Sequence, residues 1–147
     1  MPSFTDLLDV NVWLALAAEA HAHHPRAQAY WEREAASRSA FCRVTELAFL
    51  RHLTNKSIMG DQMLSPSAAW KKLQEFLALS EVTSLAEPVG LDEWLGDFCN
   101  LGRTSPNLWT DAYLASFAKG AGLRLVTFDH GFSRFQGLEL LILRAEG

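Results

Sequence analysis

Four carboxylic acids, Asp9, Glu46, Asp111 and Asp129, each stand where an apolar run gives way to a different pattern. Asp9 closes the run 4–10, FTDLLDV. Glu46 opens the helical pattern after residues 39–44, Asp111 lies in the first turn or so of one beginning near Pro106, and Asp129 follows LRLVTF. Singly, each is an ordinary cap or strand-end residue, because a carboxylate accepts hydrogen bonds from the free N–H groups of a first helical turn. Jointly they have a second use. Like charges brought together repel unless protons or a cation neutralise them. Mg²⁺ or Mn²⁺ does so well, since hard cations prefer carboxylate oxygens and Mg²⁺ takes few protein ligands while keeping several waters. An ion so held activates a water and stabilises charge on a transferring phosphoryl group, and nearby helix N-termini favour a phosphate as well. Asn11 has two roles open to it, bonding an Asp9 oxygen or capping the first helix. Thr127, two residues before Asp129, shares its face if both are extended, and either adds a hydroxyl to the site or is a β-branched strand residue.

The elements that must position these acids alternate in type. Residues 4–10, 39–44, 81–85, 123–128 and 138–143 have the length and apolar content of buried strands. Helical spacing marks residues 11–20, 25–36, 45–54, 65–79, 91–101 and 106–119, with Ser65 as an N-cap, Pro66 at N1, and Ala69, Trp70, Leu73, Phe76 and Leu77 on one face. Gly102 ends one helix and Gly120 with Gly122 another, while residues 56–63 form a loop around Gly60. Strands alternating with helices imply a parallel sheet covered on both faces, because parallel strands need crossovers. The expected fold is a three-layer α/β/α sandwich around a central parallel sheet of about five strands. In such sheets ligands gather outside the carboxyl ends of the strands, where the four acids have their addresses.

Bulk composition is consistent with this. A chain of 147 residues fits a single domain, 1–147, with 49% hydrophobic and 20% charged residues. Its net charge of −4 argues against holding nucleic acid by bulk charge, though not against a local basic rim. No apolar run reaches the roughly 18 residues of a membrane span, and the N-terminus lacks a basic n-region. We therefore expect a cytoplasmic protein with no membrane partner. Cys42 and Cys99 have no metal-type spacing and read as buried free thiols.

The segments LLDVNVWLAL, VTELAFLR, WTDAYLASFA and LVTFDHGF, in this order along nearly the whole chain, resemble those of PIN-domain ribonucleases, in particular the VapC-type toxins of toxin–antitoxin pairs. The resemblance implies a PIN-like fold in which Asp9, Glu46, Asp111 and Asp129 bind Mg²⁺ or Mn²⁺, with Asn11 and Thr127 as supporting polar groups. It implies a divalent-metal-dependent endoribonuclease in which a metal-activated water attacks an RNA phosphodiester in line, leaving 5′-phosphate and 3′-hydroxyl ends. It also implies a cognate antitoxin that blocks the cleft, and frequently a homodimer. Where many relatives carry Arg or Asp after the last acid, this chain has His130.

Two other functions compete. A haloacid-dehalogenase-like Mg²⁺-dependent phosphatase also begins with a strand ending in Asp, but its chemistry needs a second Asp two residues on, where Asn11 stands. A PIN-like module that binds RNA or protein without cutting is the other, and such relatives usually lack one or more of the acids. For RNA contact the basic side chains are Arg43, Arg51, Lys56, Arg103, Lys119, Arg124 and Arg134, with Arg43 and Arg103 nearest the acidic motifs. Trp13 and Trp109 flank those motifs and either stack bases or pack in a core or dimer interface. His21, His23 and His24 invite a zinc reading, yet no second His or Cys cluster completes a four-ligand set.

Overall fold

A computed structural model of the chain describes residues 4–101 and 104–145. Five strands, β1 (Thr5–Leu8), β2 (Arg38–Cys42), β3 (Val82–Leu85), β4 (Arg124–Thr127) and β5 (Leu140–Ile142), form one sheet in the order β3-β2-β1-β4-β5. Every neighbouring pair is parallel. The helices are α1 (Val10–Ala17), α2 (His24–Arg33), α3 (Arg43–Leu53), α4 (Lys56–Met59), α5 (Pro66–Leu77), α6 (Leu91–Cys99) and α7 (Leu108–Ala121). The expected three-layer α/β/α architecture with five parallel strands is what the chain adopts.

Alternation along the strands explains the layers. Leu7, Ala40 and Leu125 face a core shared with α6 and α7, in which Phe98, Leu114 and Phe117 are buried. Their strand neighbours Leu8, Phe41 and Val126 face the opposite core, built with α1, α2, α3 and α5. In that second core the Trp13 ring stacks on Phe41 with centroids 3.8 Å apart, and neither residue is exposed. Trp13 is thus a packing residue and has no face free for a base.

Local details follow from capping chemistry. Ser65 Oγ accepts from the Ala68 N–H at 3.2 Å ahead of Pro66, as the Ser-Pro pair predicts. Gly122 adopts φ 68°, the left-handed conformation that ends α7 without a Cβ clash. The expected loop at 56–63 is instead one turn of helix followed by a 3₁₀ turn, Gly60–Gln62. Asn55 Oδ1 caps this turn by accepting from the Ser57 N–H at 2.8 Å, a device too short to leave an apolar period. Trp70, expected on the packed face of α5, is 54% exposed, and Trp109 is 62% exposed. The Gly102 stop and Arg103 lie outside the described residues.

β1 is the strand from which the order reverses, with β2 on one side and β4 on the other. The connection that leaves β1 runs toward β2 and the one that leaves β4 runs toward β5, in opposite directions, which opens a crevice between the carboxyl ends of β1 and β4. Asp9 follows β1 immediately, and Asp129 follows β4 by one residue.

Candidate metal and phosphate site

Asp9 is the N-cap of α1 and is 7% exposed. Its Oδ1 accepts from the Val10 N–H at 2.7 Å, and its Oδ2 accepts from the Thr127 hydroxyl at 2.8 Å. Burial pushes the carboxyl up from 3.8 to about 6, against the pull of those two hydrogen bonds, and the charges of Asp111 and Asp129 push the same way. The three acids therefore share one electrostatic environment.

Thr127 ties the group together. Besides donating to Asp9, its oxygen accepts from Asn11 Nδ2 at 3.4 Å and from the Asp129 N–H at 3.0 Å. One donated and two accepted bonds exhaust a hydroxyl. Asn11 takes neither of its expected roles, since Asp9 caps the helix and the Asn11 amide bonds Thr127 and, through Oδ1, the Phe128 N–H at 3.3 Å. The physical reason is direction: as the second residue of α1, Asn11 turns its side chain across to Thr127 and Phe128 at the end of β4.

Asp129 caps the 3₁₀ turn His130–Arg134 and accepts from the Gly131 N–H at 2.8 Å. A Cβ on Gly131 would meet Arg134 Nη1 at 2.8 Å and Asp129 Oδ1 at 3.1 Å, so a larger residue there would displace the Arg134 guanidinium and crowd the Asp129 carboxylate. Asp111, in the first turn of α7, has its carboxyl raised by burial, an effect that its hydrogen bond from Arg134 opposes and the Asp129 charge reinforces. Asp111, Asp129, His130 and Arg134 line an open cleft of about 510 Å³.

Glu46 stands further along the same sheet edge. It is 3% exposed in the first turn of α3, and its Oε2 accepts from Ser84 Oγ, just beyond the middle of β3, at 2.8 Å. Arg43 Nη1 lies 2.9 Å from Oε1, yet without hydrogen-bond geometry, so that buried oxygen has no hydrogen-bond donor among the described residues. Arg43 itself is largely exposed and remains available at the rim.

Among the described residues, no three His, Cys, Asp or Glu side chains are grouped tightly enough to enclose a metal ion. The four acids share an edge of the sheet but do not converge into one coordination shell. The donor set nevertheless fits a hydrated Mg²⁺ or Mn²⁺. All four candidates offer hard carboxylate oxygens, each Asp9 oxygen accepts a single hydrogen bond, and Glu46 Oε1 lacks one. Such ions need only one or two carboxylates.

Several candidates lie elsewhere. Arg124 is the first residue of β4, at the opposite end of the sheet, where Nε and Nη2 contact the two oxygens of buried Asp6 at 2.8 and 2.9 Å. Lys119 donates to the Gly137 carbonyl and lies over the Trp94 ring. His24 Nδ1 is 2.7 Å from the Ala15 carbonyl, His21 Nδ1 accepts from the His23 N–H, and His23 stacks on Phe128. His130, by contrast, lines the cleft, with its Nδ1 3.2 Å from Arg144 Nη1. Two partners escaped the sequence, Ser84 for Glu46 and Arg134 for Asp111. Neither carries a local signal, because each contact is made between separate elements.

A parallel sheet with acids along the carboxyl ends of its strands, at the switch point where such folds bind ligands, is what the structure presents, and the PIN domain model matches residues 7–138. The chain belongs to the PIN-domain family, among the VapC ribonucleases. It is 37% identical over 142 residues to Ribonuclease VapC41 of Mycobacterium tuberculosis, a match covering 93% of this chain and 97% of that protein. In fold it is similar to VapC20 of M. tuberculosis, described as a sarcin–ricin loop cleaving toxin, with a TM-score of 0.67, 15% identity and coverage of 91% of this chain and 97% of that one. VapBC2 of Rickettsia felis, solved bound to a DNA fragment from the promoter, gives a TM-score of 0.68 at 15% identity, covering 96% and 100%.

Proposed function

We propose that this chain, acting as one domain, is a Mg²⁺- or Mn²⁺-dependent endoribonuclease and the toxin of a type II toxin–antitoxin pair. The observation that carries this reading is the buried Asp9 carboxylate at the switch point of the sheet, its charge opposed by Asp111 and Asp129. An acid so placed calls for a cation, and identity to VapC41 across nearly the whole chain supports RNA as the substrate.

Asp9 and Asp111 are the first candidates to hold the ion, with Glu46 and Asp129 binding directly, through water, or toward a second ion when RNA is present. Bound there, the ion supplies Lewis acidity, activating a water and offsetting charge on the transferring phosphoryl group. The chain's own residues set the stage. Thr127 fixes the Asp9 rotamer and, through the Asp129 N–H, the start of the turn that carries Asp129. Asn11 braces the same corner. Arg43 at the rim is a candidate for neutralising RNA phosphates, as is Arg103. A cognate antitoxin, a homodimeric assembly and a cytoplasmic location belong to this reading; no helix among the described residues is long and apolar enough to cross a membrane.

The test is cleavage of total cellular RNA by the purified protein with Mg²⁺ or Mn²⁺, beside Asp9→Asn and an EDTA control. Discrete fragments that require both metal and Asp9 are expected. RNA bound equally by both proteins but cut by neither would replace the enzyme with a binding module. Labelling of Asp9 as an aspartyl-phosphate would replace it with a phosphatase.

A further inference from the structure

Among the described residues, two arginines form ion pairs with aspartates, and the two pairs are built differently. Arg124 grips Asp6 with a two-pronged fork at 2.8 and 2.9 Å, and its Nη2 also donates to the Glu34 carbonyl. Arg134 reaches Asp111 with one nitrogen, Nη2, at 3.2 Å. That is longer than the roughly 2.7–2.9 Å of a well-made charge-assisted bond. Its Nη1 donates to the Gly131 carbonyl within the same turn, and its Nε is buried with no hydrogen-bond partner among the described residues. The guanidinium lies over the Phe135 ring, 4.4 Å from the centroid. The first arrangement is a structural clamp. The second is a cation held loosely on an aromatic platform, with donor capacity left over, inside the acid-lined cleft.

We propose that Arg134 is the phosphodiester-binding residue of this cleft, parked on Asp111 until a divalent ion takes that carboxylate. The proposal rests on the reading that the cleft binds a divalent cation and RNA. Asp111 Oδ2 cannot serve a guanidinium and a metal equally, and the doubly charged ion is the stronger competitor at short range. Release costs Arg134 one long contact and leaves its Gly131 bond and its cation–π contact with Phe135 intact. The freed Nη2 then has its two N–H groups to offer a phosphate oxygen, while Nη1 stays on Gly131 and keeps the guanidinium oriented. Arg134 is 25% exposed at its side chain, so the fork already borders the open cleft.

Mn²⁺ binding to the metal-stripped protein, followed by electron paramagnetic resonance of the free ion, tests the first half without any catalysis. Arg134→Gln removes the competitor and is expected to tighten Mn²⁺ binding by about threefold, the scale of a partly exposed ion pair, with Arg134→Lys in between. Equal or weaker Mn²⁺ binding by Arg134→Gln would overturn the competition. The second half is read from the salt dependence of binding to a single-stranded phosphorothioate RNA with Mn²⁺ present. Arg134→Gln should lower the log–log slope by about 0.7, the loss of one phosphate contact on a single strand, and Arg134→Lys should restore it. An unchanged slope would overturn the phosphate role. Absence of Mn²⁺ binding to the wild-type protein is a different signature, and it would overturn the metal reading of the cleft together with this proposal.

Discussion

The hydroxyl of Thr127 donates to Asp9 Oδ2 at 2.8 Å although the two residues are 118 positions apart in the chain. Parallel pairing of β1 with β4, with Leu8 opposite Val126, sets this contact. Because the same oxygen accepts from Asn11 and from the Asp129 N–H, one side chain controls the placement of two acids.

Thr127→Val keeps the shape and deletes all three bonds. Asp9 then loses a hydrogen bond that holds its carboxyl down, so its pKa should rise further above 6. The pH midpoint of Mn²⁺ binding is expected to move up by about one unit. Urea unfolding should show a loss of about 1–3 kcal/mol from the groups left unpaired. A midpoint unchanged from wild type would show that the hydroxyl does not tune Asp9.

Asp9 should make metal-free stability fall as pH rises from about 4 to about 6. Asp9 is ionised above 3.8 when unfolded but only above about 6 when folded, so between these values the folded state holds more protons. The Asp9 contribution to stability in EDTA is therefore largest below about pH 4, declines by up to about 3 kcal/mol through pH 6, and then levels off. Mg²⁺ should recover much of the loss at pH 7, since it binds the ionised folded form. Urea titrations at pH 4.5 and pH 7 (roughly the two ends of this window), with EDTA or Mg²⁺, measure both effects.

Asp9→Asn should reduce RNA cleavage by about two orders of magnitude or more, because it removes the carboxylate on which the metal's transition-state stabilisation depends. Cleavage rates at saturating Mn²⁺ give the comparison. Full activity in the variant would move the metal ligands elsewhere.

At the other end of the sheet, Asp6→Ala should destabilise without touching the cleft. It takes the anionic partner from the Arg124 guanidinium, which keeps its bond to the Glu34 carbonyl, and from the Tyr30 hydroxyl and the Ala36 N–H, which donate to Asp6 at 2.5 and 3.0 Å. A loss of about 3 kcal/mol in urea unfolding is expected, with Mn²⁺ affinity unchanged in the folded protein. A large change in Mn²⁺ affinity would mean the two ends of the sheet are coupled.

Particular residues show how much was legible beforehand. The runs around Leu7, Phe41 and Val126 announce strands because burial on both faces demands unbroken apolar character, and Asp9, Glu46, Asp111 and Asp129 stand out because they interrupt or follow such runs. Hydrophobic period and local capping are encoded within a few neighbours, so the sequence by itself determined the layered fold and the edge of the sheet where the acids gather. Pairing between distant side chains is not encoded that way. Arg134 on Asp111, Arg124 on Asp6 and Ser84 on Glu46 span 23, 118 and 38 positions. Strand register and helix rotation choose among many equally basic or hydroxylic candidates, which is why Arg124 was as eligible for RNA as Arg134 until the sheet placed one at each end. Only the tertiary structure decided which arginine is a clamp and which one faces the cleft.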